Sequence, residues 1–135
     1  MNTLKLLEDI IAVPSITPDD QGAQTLLLDA LKDLGFEITL LPSDPVSNFW
    51  AVHHGGLPGP CLAFAGHTDV VDTGPKTAWQ FDPFQLTEHE GYYYGRGTQD
   101  MKTSLVTMIG AVAQFLKLNP KYPGNKTCRY CSKGH

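Results

Sequence analysis

Cys61-Leu62-Ala63-Phe64-Ala65-Gly66-His67-Thr68-Asp69-Val70-Val71 is the stretch on which the fold turns. Its first half is a short, uninterrupted apolar run entered from Pro58-Gly59-Pro60, and such a run predicts a strand buried on both faces. The run ends at Gly66-His67, so a chemically active side chain stands at the carboxyl end of a strand. Open α/β sheets place their ligands at that end.

Working outward toward the N-terminus, Leu4, Leu7, Ile10 and Ile11 recur at helical spacing and predict a short amphipathic helix over residues 3–12, closed by Pro14. A turn-rich loop follows at residues 15–20. Asp19 or Asp20 can cap a second helix, whose apolar face is Ala23, Leu27, Ala30, Leu31 and Leu34 and whose stop is Gly35. Residues 36–41 and 48–53 are β-branched and aromatic, with Pro42-Ser43-Asp44-Pro45 between them, and read as a hairpin.

On the other side, residues 70–90 form a long connection rich in Pro, Gly and Asp, with Trp79, Phe81 and Phe84 as packing anchors. Tyr92, Tyr93 and Tyr94 read as an edge strand. After Asp100, the spacing of Leu105, Ile109, Val112, Ala113 and Leu116 predicts a third helix that ends before Pro120. Helices alternating with strands, one pair of them a hairpin, predict an α/β sandwich with a mixed sheet.

The bulk properties fit one globular domain: 135 residues, 41% hydrophobic and 18% charged. A net charge of -4 and a pI near 5.6 provide no basic stripe for phosphates, which argues against a nucleic-acid partner and for a small molecule. No apolar run approaches the roughly 20 residues of a membrane span, and the expected location is cytoplasmic. Cys61, Cys128 and Cys131 are an odd number with two crowded at the end, unlike a secreted disulfide framework. Cys61 reads as a small buried hydrophobe, and His53, His54 and His89 as solvated.

Two segments carry chemistry. In Gly66-His67-Thr68-Asp69, an imidazole that binds a metal through one nitrogen needs its other nitrogen held by an acceptor, and Asp69 can serve. In Tyr94-Gly95-Arg96-Gly97-Thr98-Gln99-Asp100-Met101-Lys102, a carboxylate at a helix start can bridge two cations. The plainer readings stand beside these: His-x-Asp arises by chance, and an Asp at a helix start is commonly a cap. Gly95-x-Gly97 lacks the third glycine and the strand-to-helix setting of a dinucleotide fingerprint, which leaves a nucleotide-binding module as the weaker alternative.

Taken in order, Gly66-His67-Thr68-Asp69-Val70-Val71, Trp79, Asp82-Pro83-Phe84, Gly91, Tyr94-Gly95-Arg96-Gly97 and Asp100-Met101-Lys102 resemble the signature of the M20 metallopeptidase family, over most of residues 1–124. The resemblance implies part of a mixed-sheet zinc-hydrolase catalytic domain. It implies that His67 binds one metal, that Asp100 bridges two, and that Asp69 has a catalytic role in supporting His67, with a cis peptide after Asp100. Arg96 and Lys102 belong to the motif without being ligands. The implied cofactors are two Zn2+, with Co2+ as a substitute, and the implied substrate is a small N-acyl amino acid. Within the family, Pro14-Ser15-Ile16-Thr17-Pro18-Asp19-Asp20 and Asp100-Met101-Lys102-Thr103-Ser104 look most like the branch that releases succinate on the bacterial route to diaminopimelate and lysine. N-acetyl deacylases are the rival.

After Gly124 the family continues with an apolar strand and two adjacent glutamates, one a general base and one a ligand. This chain reads Asn125-Lys126-Thr127-Cys128-Arg129-Tyr130-Cys131-Ser132-Lys133-Gly134-His135 instead. The change of composition resembles a reading-frame shift, and residues 125–135 are expected to be a poorly packed tail. The chain is then an inactive N-terminal part of the catalytic domain, without the dimerisation domain of a homodimeric parent. Cys128-x2-Cys131 with His135 is a weaker, zinc-finger-like reading of the same residues, short of the usual four ligands.

Overall fold

The computed structural model describes residues 1–131, with side chains through Cys128. Helix α1 is Thr3–Ala12, capped by the Asn2 side chain on the Lys5 amide at 3.1 Å. Helix α2 is Ala23–Asp33. Asp20 caps it, accepting from the Gln24 amide at 2.9 Å. Gly35, at φ +83°, ends it: the Gly35 and Phe36 amides turn back onto the Lys32 and Leu31 carbonyls, a closure that favours a residue free of Cβ strain.

Strands β1 (Glu37–Leu40) and β2 (Asn48–His54) are antiparallel and form the expected hairpin. β3 runs from Gly56 to His67, well beyond the apolar run. The short strands β4 (Thr87–His89) and β5 (Tyr92–Tyr94) make a separate hairpin within and just after the long connection. Its turn residues Glu90 and Gly91 both have positive φ, at +51° and +79°, as a tight hairpin requires. Helix α3 is Lys102–Leu118 and strand β6 is Tyr122–Cys131.

The main sheet has the order β1-β2-β6-β3, with β6 antiparallel to β2 and parallel to β3. This is a mixed sheet, as the sequence predicts. Register places Ile38, Ala51, Cys128 and Phe64 in one row on the face covered by the helices. Ile10, Ile11, Leu27, Leu31, Leu105 and Ile109, all fully buried, close the core over that row. Each such side chain contributes about 1.5–3 kcal/mol from burial. Trp79 and Phe81 pack as expected of anchors, Trp79 under Arg96 and Phe81 against Tyr94 and His89.

Several expectations are corrected. Residues 61–65 are not buried on both faces, because β3 pairs only with β6 and its other edge and outer face meet no element among the described residues. Cys61 is consequently exposed. Residues 125–131 are not a loose tail: they occupy the centre of the sheet, paired on both sides. Main-chain pairing does not need apolar periodicity, and Cys128 fills a core position while Thr127 is buried behind it. The pairing counts against reading those residues as foreign to the fold. His53 is not simply solvated. It lies between Phe36 and Tyr122, its Nδ1 2.8 Å from the Tyr122 hydroxyl, and burial pushes its pKa down.

Candidate active site

The site forms where the carboxyl end of β3 meets the start of α3. Gly66 makes the approach possible: a Cβ there would lie 2.4 Å from Leu105 Cδ2 and 2.9 Å from Met101 Cε. Any larger residue requires the Leu105 and Met101 side chains to shift. His67 ends β3, and Asp100 precedes α3 by two residues. The Asp100–Met101 peptide is cis, as the resemblance implied.

Segment 68–70 is held from behind by segment 15–17. The Val70 amide donates to the Ser15 carbonyl at 3.0 Å, the Thr17 amide to the Val70 carbonyl at 3.1 Å, and the Ser15 hydroxyl to the Thr68 carbonyl at 2.9 Å. Thr68 and Asp69 are buried.

His67, Asp69 and Asp100 converge. His67 Nδ1 lies 3.0 Å from the Asp69 carbonyl and 3.3 Å from Asp69 Oδ1, while Nε2 lies 3.2 Å from Asp100 Oδ1. A carbonyl only accepts, so Nδ1 carries hydrogen. Asp69 Oδ1 is buried with no hydrogen-bond partner of good geometry, and this imidazole edge is the group it faces. Nε2 can then approach the Asp100 carboxylate in two ways, as the N–H of an imidazolium or as a lone pair sharing a cation. The spacing of 3.2 Å lies just below the edge, about 3.3–3.6 Å, of a tetrahedron with bonds of about 2.0–2.2 Å, the range of zinc–imidazole and zinc–carboxylate bonds, so a slight parting of the two groups would admit the ion. Imidazole and carboxylate are a donor set that fits a borderline divalent cation. Among the described residues no group of three or more His, Cys, Asp or Glu side chains converges as a complete metal centre.

The two donors open onto a cavity of about 760 Å³ that Asp69, Trp79, Arg96 and Gly97 also line. Asp100 is the exposed member, its side chain 82% accessible against 5% for Asp69. Arg96 forms a wall of the cavity. Its guanidinium lies over Trp79, 5.0 Å from the ring centroid, and donates to the Asp72 carbonyl at 3.1 Å.

Lys102 has a role that sequence reading did not assign. It is fully buried, and its Nζ donates to the carbonyls of Ile10 at 3.0 Å and Val13 at 2.6 Å, closing the C-terminal end of α1. Burial pushes its pKa down to about 8, with the negative charge of Asp20 working the other way. Its place on the helical stripe with Leu105, Ile109, Val112 and Leu116 was the available clue.

The peptidase family M20/M25/M40 model matches residues 63–128, the span that contains His67, Asp69 and Asp100. Succinyl-diaminopimelate desuccinylase of Coxiella burnetii (strain Dugway 5J108-111) is 51% identical over 122 residues, which is 90% of this chain and 32% of that protein. The chain belongs to the M20 peptidase family. It spans about a third of the length of the curated relatives it matches. Two solved structures carry the same M20 catalytic-domain fold. Human carnosine dipeptidase 1 has TM-score 0.78 and 25% identity, over 95% of this chain and 31% of that one. The M20 family metallo-carboxypeptidase Sso-CP2 of Sulfolobus solfataricus has TM-score 0.81 and 23% identity, over 96% of this chain and 30% of that one.

Membership of M20, a hydrolase family, removes the nucleotide-module alternative. No helix among the described residues is long and apolar enough to cross a membrane. The zinc-finger-like reading of the last residues meets a geometric obstacle. Cys128, one of its three sulfur and nitrogen donors, points into the core. His135 lies outside the described residues.

Proposed function

We propose that the protein represented by this chain is a metal-dependent amide hydrolase, specifically a succinyl-diaminopimelate desuccinylase that releases succinate and LL-diaminopimelate. The single observation that carries the hydrolase reading is the convergence of His67 Nε2 and Asp100 Oδ1 at 3.2 Å, with Asp69 backing the opposite ring nitrogen. The substrate reading is supported by the 51% and 49% identity to relatives of that name. In this reading residues 1–131, with β6 inside their sheet, belong to the N-terminal part of the catalytic domain. The enzyme is cytoplasmic and homodimeric, and acts on a small N-acyl amino acid without nucleic acid or membrane.

His67 and Asp100 would hold Zn2+, with Co2+ as substitute. Divalent cations there supply a Lewis acid for the amide carbonyl and lower the pKa of the attacking water. Asp69 keeps the hydrogen on Nδ1 and the lone pair of Nε2 toward the cavity. Arg96 and Trp79 wall the space in which the acyl group is held. Hydrolysis adds water to the carbonyl carbon, breaks the C–N bond and moves a proton to the leaving amine. A general base is needed for that transfer.

The test is to follow Gly124 with the corresponding downstream sequence of a full-length relative and assay hydrolysis with Zn2+. Release of succinate from N-succinyl-LL-diaminopimelate, abolished by His67→Ala, is expected. Turnover of N-acetylornithine alone would select the deacetylase reading instead. Inactivity of the folded, zinc-loaded protein on every N-acyl amino acid would overturn the function.

A further inference from the structure

Thr68, between the two residues that face each other across His67 Nδ1, points the other way. Its hydroxyl donates to Asp20 Oδ1 at 2.7 Å. The second oxygen of Asp20 accepts from the Gln24 amide at 2.9 Å, in the first turn of α2, where a carboxylate also meets the positive end of the helix dipole. Asp20 therefore ties the site to the N-terminus of a core helix.

Along an extended chain, alternate side chains share a side. Holding the Thr68 side chain inward thus directs His67 and Asp69 together toward the opposite side. The peptide is pinned twice, because the Thr68 carbonyl also accepts from the buried Ser15 hydroxyl at 2.9 Å. Rotation about this segment would carry away the Asp69 carbonyl that fixes Nδ1. Neither Asp20 nor Thr68 touches the cavity side of the imidazole, and their effect passes entirely through the backbone of residues 68–69.

We propose that Asp20, acting through the Thr68 hydroxyl, is a positioning residue that sets the tautomer and direction of the His67 ring. The part of this inference that concerns metal affinity rests on the half-site proposed above. The part that concerns the tautomer does not.

Two-bond 1H–15N spectra of the metal-free chain, in chelator at a pH where His67 is neutral, read the tautomer directly. The wild type is expected to show an Nδ1–H majority. Thr68→Val and Asp20→Ala should each lose it, the double variant should lose no more than either, and Thr68→Ser should keep it. Zn2+ titration of the same proteins should show binding weakened by about tenfold or more in the Val and Ala variants only, the effect of removing an outer partner of a metal-bound His. An Nδ1–H majority unchanged in Thr68→Val and Asp20→Ala would overturn the proposal, as would a Thr68→Ser variant that behaves like Thr68→Val. If Thr68→Val does not fold, Asp20→Ala decides: it removes both acceptor oxygens, and a tautomer identical to wild type in it overturns the proposal. Equal Zn2+ binding by wild type and His67→Ala would instead defeat the metal reading, and leave the tautomer result to decide the role of Asp20.

Discussion

His67 Nε2 and Asp100 Oδ1 stand 3.2 Å apart although 33 positions separate them in the chain. With Nδ1 committed to Asp69, the pair has two facing electron-rich atoms and room for one positive charge between them. The chain should accordingly bind Zn2+ weakly, with His67→Ala and Asp100→Ala each weakening it by about tenfold or more, since even outer partners of a ligand command that much. Isothermal titration calorimetry checks this. Cys128→Ser should leave binding unchanged, and loss of binding in that variant would place the metal at the end of the chain.

Lys102 provides a stability prediction with a definite pH sign. Its pKa of about 8 lies below the ordinary 10.5, so between these values the unfolded chain holds more protons than the folded one. Stability of the metal-free protein should rise with pH across that window. The gain is absent below pH 8 and complete above 10.5, and totals about 3 kcal/mol at about 1.4 kcal/mol per tenfold in proton affinity. Lys102→Met should lack this rise and, at high pH, be less stable by about 2–4 kcal/mol, because the Ile10 and Val13 carbonyls lose their donor. Urea unfolding at a series of pH values, in chelator, compares the two.

Gly66→Ala tests the close approach of α3 to β3. The added methyl meets Leu105 Cδ2 and should cost about 1–3 kcal/mol. Leu105→Ala alone should cost about 2–5 kcal/mol, being fully buried. The double variant should cost less than the sum, since the smaller residue at 105 makes room for the methyl. Strict additivity in denaturant unfolding would show that the methyl is accommodated elsewhere.

The central position of β6 can be read by thiol chemistry. Cys61 is exposed and Cys128 is fully buried beside Ala51 and Phe64. Cys61→Ser should remove one fast-reacting thiol in a native-state labelling assay, while Cys128→Ser should remove one that reacts only on unfolding. Equal reactivity at the two positions would mean that residues 125–131 are not docked in the sheet.

The sequence by itself determined the helices, the β1–β2 hairpin and the class of sheet, and its family resemblance singled out His67, Asp69 and Asp100, which the fold brings together. The helices and the hairpin are written in short-range terms: helical or alternating spacing and turn residues. The order of the sheet was not legible, because which strand lies at the edge depends on partners far away in the chain. An apolar run at residues 61–65 reads the same whether one neighbour covers it or two, and the polar residues 125–131 can be central because pairing is made by the main chain. Lys102 and Asp20 were likewise decided by tertiary structure. A charged residue in a helix shows only that it must be satisfied, and the satisfying atoms, the Ile10 and Val13 carbonyls and the Thr68 hydroxyl, come from segments that only folding brings alongside.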